Sequence, residues 1–209
     1  MSARADEPAT STRLLDRPTE IADWVITLIR AGVYPPMSQL PARAKLAVAL
    51  VSDQNAVARA VRLLRESEFI LVERGARPVV LATLPVTVTA PPELSGLLGR
   101  LEPLALPRTD LSGTGIKEMC RRSRARWATR SFSFPRERSE IFGALATAAH
   151  HLIPIVAEQH AHHPDVLALL RTAAVTALAE DPTTVAAQVW RSACLGAAVR
   201  ELLPLAGVA

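Results

Sequence analysis

Cysteine is nearly absent from this chain: 209 residues contain two, Cys120 and Cys194. They fall in different expected helices without a CxxC spacing, which removes a disulfide framework and a zinc knuckle and leaves reduced, intracellular thiols. Cys120 stands among arginines that would suit a redox sensor, but a buried thiol in an apolar helix is the commoner outcome. Aromatic residues make up only 4% of the chain and glycine nine positions, while Ala, Leu and Val dominate. That balance favours helices packed through small and branched aliphatic side chains. Uninterrupted apolar runs fall short of the ~18 residues that a membrane-spanning helix needs. Residues 1–12 carry both charge signs and no apolar core, so they read as a disordered tail and not as a secretory signal. Also missing are a Ser-His-Asp arrangement, a paired-carboxylate site and a glycine-rich phosphate loop. The expectation is a soluble, cytoplasmic protein with no membrane partner, no cofactor and no catalytic role.

What the chain does have is apolar bulk and unevenly placed positive charge. With 49% hydrophobic residues it can bury a substantial core, as one large domain or two small ones. A net charge of +4 and an isoelectric point near 9.8 suit a polyanionic partner. The excess is concentrated in residues 117–138, where Lys117, Arg121, Arg122, Arg124, Arg126, Arg130, Arg136 and Arg138 face two acids. Arg122, Arg126 and Arg130 stand at i, i+4 and i+8, on one helical face near Trp127. A second DNA-backbone contact, an acidic-ligand site, a partner surface, and a solvated face paired with the acidic final helices all fit that run.

Periodicity lays out the N-terminal region as three short helices and a hairpin. After Pro18 and Thr19, a good pair to start a helix, Ile21, Trp24, Val25, Leu28 and Ile29 line one face until Gly32 stops it. Three prolines in residues 33–41 forbid helix there, and Pro41 is placed to begin a second helix to about Leu50, with Leu46, Ala47 and Leu50 inward. Val51 and Ser52 make a turn. Asp53 is the expected N-cap of a third helix, to about Ser67, with Val57, Ala60, Val61 and Leu64 inward. Gln54, Asn55, Ala58, Arg59 and Arg62 then lie on or beside its outer surface. Apolar runs at 69–72 and 78–81, separated by Glu73-Arg74-Gly75-Ala76-Arg77, predict a β-hairpin with a basic tip. That order is the outline of a winged helix-turn-helix.

Ile29, Gly32, Tyr34, Pro35, Pro36, Leu40, Pro41, Leu46, Ala47, Val57, Ala60 and Val61 also match a spaced pattern without a gap. The pattern, I-x-x-G-x-Y-P-P-G-x-x-L-P, then L-A, then V-R-x-A-L, is common in the DNA-binding domains of the GntR family of bacterial regulators. The chain resembles that family over roughly a third of its length. The resemblance implies a second helix bracing the DNA backbone, the helix beginning at Asp53 in the major groove, and the wing on the adjacent minor groove or phosphates. Gln54 and Asn55 are amide side chains able to pair bidentately with adenine. Arg43, Lys45, Arg59 and Arg62 would supply phosphate contacts, and Arg74 and Arg77 would do so from the wing. The chain departs from the family where Gln54, Ala58 and Ala44 replace frequent arginines and where Arg77-Pro78 replaces the glycine and small residue of the wing tip.

The remainder reads as helices near 93–101, 114–131, 136–161, 164–180 and 182–203, broken by Pro107 and Gly113, Pro135, Pro164 and Pro182. All five histidines, His150, His151, His160, His162 and His163, cluster with Glu158. Pro154 is expected to interrupt the helix between His151 and Glu158, so a solvated helix terminus is a better account of them than a metal site. Val185, Val189, Trp190, Ala193, Cys194, Ala197, Ala198 and Leu202 form a broad apolar stripe that must be buried, inside a bundle or against a second subunit. This tail fits none of the effector-domain types known in the GntR family. It is too helical for the β-rich type, too short for the aminotransferase-like type, and without the spaced ligands of the metal-holding helical type.

The fold expected is mainly α: a disordered tail at 1–17, a winged helix-turn-helix at 18–81, a linker at 82–92 rich in β-branched residues and proline, and a helical effector or dimerisation domain at 93–209. The function expected is sequence-specific binding of double-stranded DNA and regulation of transcription as a homodimer, with any small-molecule effector unidentified. The alternative is a protein-interaction adaptor that keeps the winged-helix scaffold and binds DNA only weakly and non-specifically.

Overall fold

The computed structural model describes residues 12–90, 93–105, 112–132, 135–180 and 182–208, with backbone only for 12–16. Among the described residues, eight α-helices account for most of the structure, 68% of it helical, beside a small two-stranded antiparallel sheet, so the fold is mainly α.

The first helix, α1 (Thr12–Arg30), begins six residues before the expected start and carries Pro18 inside it. A proline there removes one backbone donor, a cost that neighbouring contacts must offset. Arg17 supplies such a contact: its Nη2 donates to the Val51 carbonyl at 3.0 Å, and its Nη1 lies 3.8 Å from the Asp53 carboxylate. Residues 12–17 are thus helical where a disordered tail is expected, and residues 1–11 of that tail lie outside the described residues. At the other end Gly32, at φ 70, closes the helix as expected, with its own N–H bonded to Ile29 and that of Val33 to Leu28.

Beyond the proline-rich loop come α2 (Arg43–Ala49) and α3 (Gln54–Glu66), then β1 (Ile70–Leu71) and β2 (Val79–Val80). Glycine is scarce, and two of these helix ends use other residues in the left-handed conformation, Val51 at φ 49 after α2 and Glu68 at φ 59 after α3. Each end has the same paired backbone bonds as the Gly32 terminus. A β-branched residue in that conformation is costly, and the Arg17 bond to the Val51 carbonyl helps to hold it. The strands pair in the register Ile70 with Val80 and Leu71 with Val79, and Gln39 bridges Val79 from the other side.

Residues 82–90 do not run free of the N-terminal unit. Thr89 donates its N–H to the Arg30 carbonyl at 2.9 Å, and Leu84, Val86 and Val88 pack on the core beneath α1. Side chains with alternate apolar character can lie along a surface as an extended strap, a use that local composition does not distinguish from a linker.

The remaining helices are α4 (Leu94–Leu101), followed by a 3-10 turn, α5 (Gly113–Thr129), α6 (Pro135–Gln159), α7 (Pro164–Leu178) and α8 (Val185–Leu205). The expected interruption at Pro154 does not occur: α6 runs through it, with Pro154 on the exposed side, where water can serve the carbonyl left without a partner. By length and hydropathy α6 passes the test for a membrane span, but Ile141, Leu145, Leu152, Ile153 and Val156 are buried in a core shared with α4, α5, α7 and α8. That is how a central helix of a packed bundle meets the same test. The apolar stripe of α8 is closed within the chain, against α5, α6 and α7, except at Val185, which starts the helix and is exposed instead of buried as expected. At Gly196 the α5 and α8 backbones come so close that a Cβ would overlap the Ser123 hydroxyl.

The core of the N-terminal unit extends onto the bundle, which also has its own separate core. Trp190 of α8 meets Trp24 of α1 edge-on at 5.5 Å and Trp127 of α5 at 6.3 Å. Val189, Ala193 and Cys194 complete the seam from α8. Tyr34, buried in the loop after α1, has its hydroxyl pKa raised by that burial, with a hydrogen bond to Thr172 of α7 opposing the shift.

Candidate nucleic-acid interface

The surface of interest is built by α2, the turn at Val51, α3 and the hairpin. Ala56, Val57, Ala60, Val61 and Leu64 of α3 are buried, most of them packed toward α1, which fixes the opposite face outward. Gln54, Asn55, Arg59 and Arg62 are exposed on that face, while Ala58 is half-buried. Arg65 continues the row at the next i+3 position and is exposed too. Its spacing from Arg62 was the signal that could have added it to the expected set.

Asp53 caps the helix, accepting the Ala56 N–H at 2.8 Å from an extended backbone conformation. That hydrogen bond, with the Arg17 charge adding to it, holds the Asp53 carboxyl below its usual range. Its carboxylate is thus engaged with its own helix. Arg17 is the residue that sequence reasoning missed here: it braces the turn before α3 from 34 positions upstream, and no periodic pattern reports such a pair.

Arg43 and Lys45 are exposed on α2. On the hairpin, Gly75 at φ 80 makes the reversal, Ala76 donates to the Glu73 carbonyl at 3.2 Å, and Arg74 and Arg77 flank the tip in solvent. Residues 37–40 run along β2: Met37 and Leu40 donate to the carbonyls of Val80 and Pro78, and the Ser38 carbonyl accepts from Val80. Met37 holds this edge at φ 67 with its side chain in solvent. All nine residues expected at the interface are exposed, on three consecutive elements of one small unit. No family model matches the chain, and no curated protein is similar to it.

The denser basic run behaves differently. Glu137 at the start of α6 accepts from both Arg122 and Arg126, and Glu118 binds Arg121 through both oxygens at 2.7 Å. The Arg130 guanidinium lies 3.8 Å over the Trp127 ring, and Arg136 pairs with Glu140. In place of the expected pairing with the acidic final helices, Arg122 and Arg126 pair with a local carboxylate, because Pro135 starts α6 with Glu137 in its first turn, within reach of both.

Among the described residues no group of three His, Cys, Asp or Glu side chains converges on a point that could hold a metal ion. His160 instead ties the end of α6 to the end of α8, its Nε2 lying 3.2 Å from the Leu205 carbonyl. Both cysteines are buried, and burial pushes the Cys120 thiol up to about 11 despite the arginines around it. A thiol so disposed is nearly all protonated at neutral pH, which removes the chemistry of a sensor.

Proposed function

We propose that the chain binds double-stranded DNA with α3 in the major groove and regulates transcription in the cytoplasm, as a divergent relative of the GntR regulators. The observation that carries this reading is the outer face of α3, where Gln54, Asn55, Arg59 and Arg62 are exposed together with no carboxylate paired to them among the described residues. An adenine edge pairs bidentately with a side-chain amide, N6–H donating to its oxygen and N7 accepting from its N–H, and phosphates accept from the guanidinium groups. Supporting it are the order of α1, α2, α3, β1 and β2, the extra edge formed by residues 37–40, and the arginines either side of the hairpin tip. Met37, at φ 67, occupies the position where the family pattern has glycine, the residue that this conformation favours.

As a homodimer the protein would set two α3 helices on half-sites about one duplex turn apart. With the α8 stripe closed inside the chain, such a dimer needs a surface other than α8. The reading is tested by mobility-shift assays of the full chain on genomic fragments, its own upstream region included, at about 150 mM salt. One fragment should resist non-specific competitor, and Gln54→Ala with Asn55→Ala should abolish that preference. Binding of no fragment above the non-specific level would overturn it. That outcome favours the adaptor reading, which draws on Gln54 and Ala58 standing where the family frequently carries arginine.

A further inference from the structure

The seam between α5 and α8 ends in a groove that the DNA reading does not use. The two helices run antiparallel, Trp127 meeting Trp190 at one end and Lys117 lying near Pro204 at the other. Their close approach at Gly196 draws together the cations on this side of the seam, Lys117 and Arg124 from α5 and Arg200 from α8. Lys117 and Arg124 are seven residues apart, two turns along one helical face. The groove is about 480 Å³, within the range of small-molecule sites, and is lined by Lys117, Arg200, Leu203, Pro204, Gly207 and Val208.

Two features make this groove unlike the rest of the basic surface. On the Trp127 side, Arg122 and Arg126 are held by Glu137 and Arg130 lies on the Trp127 ring. Among the described residues, Lys117 and Arg124 have neither a hydrogen bond nor a salt bridge. The only acid on α5, Glu118, is bonded to Arg121, and the only acid on α8, Glu201, pairs with Arg200 at 3.1 Å. Of the acids on these two helices, only Glu201 therefore lies with the three cations, and the Nε of the half-buried Arg124 is shielded from solvent without an acceptor. Burial first, and the Arg200 charge second, depress the Arg124 pKa, as expected for like charges held together. The second feature is the floor, where Leu203, Pro204 and Val208 offer apolar contact.

We propose that this groove binds a small amphipathic carboxylate, its head between Lys117 and Arg200 and its apolar body on Leu203, Pro204 and Val208. An anion there would relieve the repulsion among the three cations: Lys117 has no partner among the described residues to give up, and Arg200, bonded to Glu201 through Nη2 alone, keeps donors for a carboxylate. A hydrophilic anion would gain the charge but waste the floor. The inference rests on the groove alone and stands whether or not the chain binds DNA.

The test is isothermal titration of the full chain with octanoate, octanol and inorganic phosphate. Octanoate should bind saturably with a Kd of about 0.1–1 mM, the range that about ten non-hydrogen atoms reach at ordinary efficiency. Octanol and phosphate should each bind at least tenfold more weakly. Lys117→Gln with Arg200→Gln should weaken octanoate at least tenfold, with the tryptophan fluorescence of the folded protein retained. Arg59→Gln with Arg62→Gln should leave octanoate binding unchanged. The proposal fails if octanoate does not saturate by 10 mM, if phosphate matches it, or if both double variants weaken it equally.

Discussion

The outer face of α3 and the flank of α5 are both basic, yet their charges are in different states. On α3, Arg59, Arg62 and Arg65 are exposed and none is in an ion pair among the described residues. On α5 the arginines are more numerous, but Arg121, Arg122 and Arg126 are held by carboxylates and Arg130 lies on Trp127. A polyanion competes poorly for a guanidinium that already has a partner, because the existing pair must be broken and its acid left behind. Charge available to a partner is thus a property of the fold, and the densest basic run in a sequence need not be the surface that uses it.

The contrast depends on α5 being locked against α8, and the strongest way to disturb it is at their closest contact. Gly196→Ala would drive a Cβ into the Ser123 hydroxyl, which itself donates to the Cys120 carbonyl. A loss of about 2–3 kcal/mol is expected in urea denaturation followed by tryptophan fluorescence, since all three tryptophans lie in the seam. Ser123→Ala in the same chain should recover most of that loss. If Gly196→Ala alone melts like the parent, α5 and α8 are not in contact as described.

A smaller effect separates engaged from available charge. Glu137→Gln leaves Arg122 and Arg126 without their anion, at a cost of about 1–2 kcal/mol. The same variant should gain weak, salt-sensitive affinity for any duplex, because it uncovers cations on the α5 flank. Unchanged stability would mean that the pairing is incidental, and the comparison would lose its basis.

The smallest effect concerns the cap of α3. Asp53→Ala should cost about 1 kcal/mol by removing the acceptor for the Ala56 amide. Because the folded-state pKa of Asp53 lies below its ordinary 3.8, its contribution is complete above that value and fades as pH falls through it toward the folded value. The stability difference between parent and variant should therefore be constant near neutrality and shrink in acid below about pH 4. A difference that persists undiminished at pH 2 would show that the carboxylate charge is irrelevant to the cap.

Much of this architecture was legible because it follows from local periodicity. The inward residues of α2 and α3, the Asp53 cap and the reversal at Gly75 were each within reach of a short window. The helices from α4 onward begin and end within about three residues of their expected bounds, a usual spread for helix ends. What escaped is long-range. The meeting of Trp24 and Trp127 with Trp190 joins residues 166 and 63 positions apart, and it carries the core of the N-terminal unit onto α5 and α8. The six residues before Pro18 read as a tail because proline marks helix starts, and it takes the distant Val51 carbonyl and Asp53 carboxylate to explain why Arg17 is held. At the candidate interface the side chains could be named from sequence, whereas their freedom from acidic partners could not.

The most direct test is the salt dependence of DNA binding, measured for three proteins on one fragment. The double variant Arg59→Ala with Arg62→Ala should flatten the slope of log K against log salt by about 1.8, the release expected for two phosphate contacts. Arg121→Ala with Arg136→Ala, which removes two exposed and paired arginines, should leave the slope of the parent chain unchanged. A slope that responds to the second pair and not to the first, or a parent chain that binds no duplex, would contradict the assignment of the interface to α3.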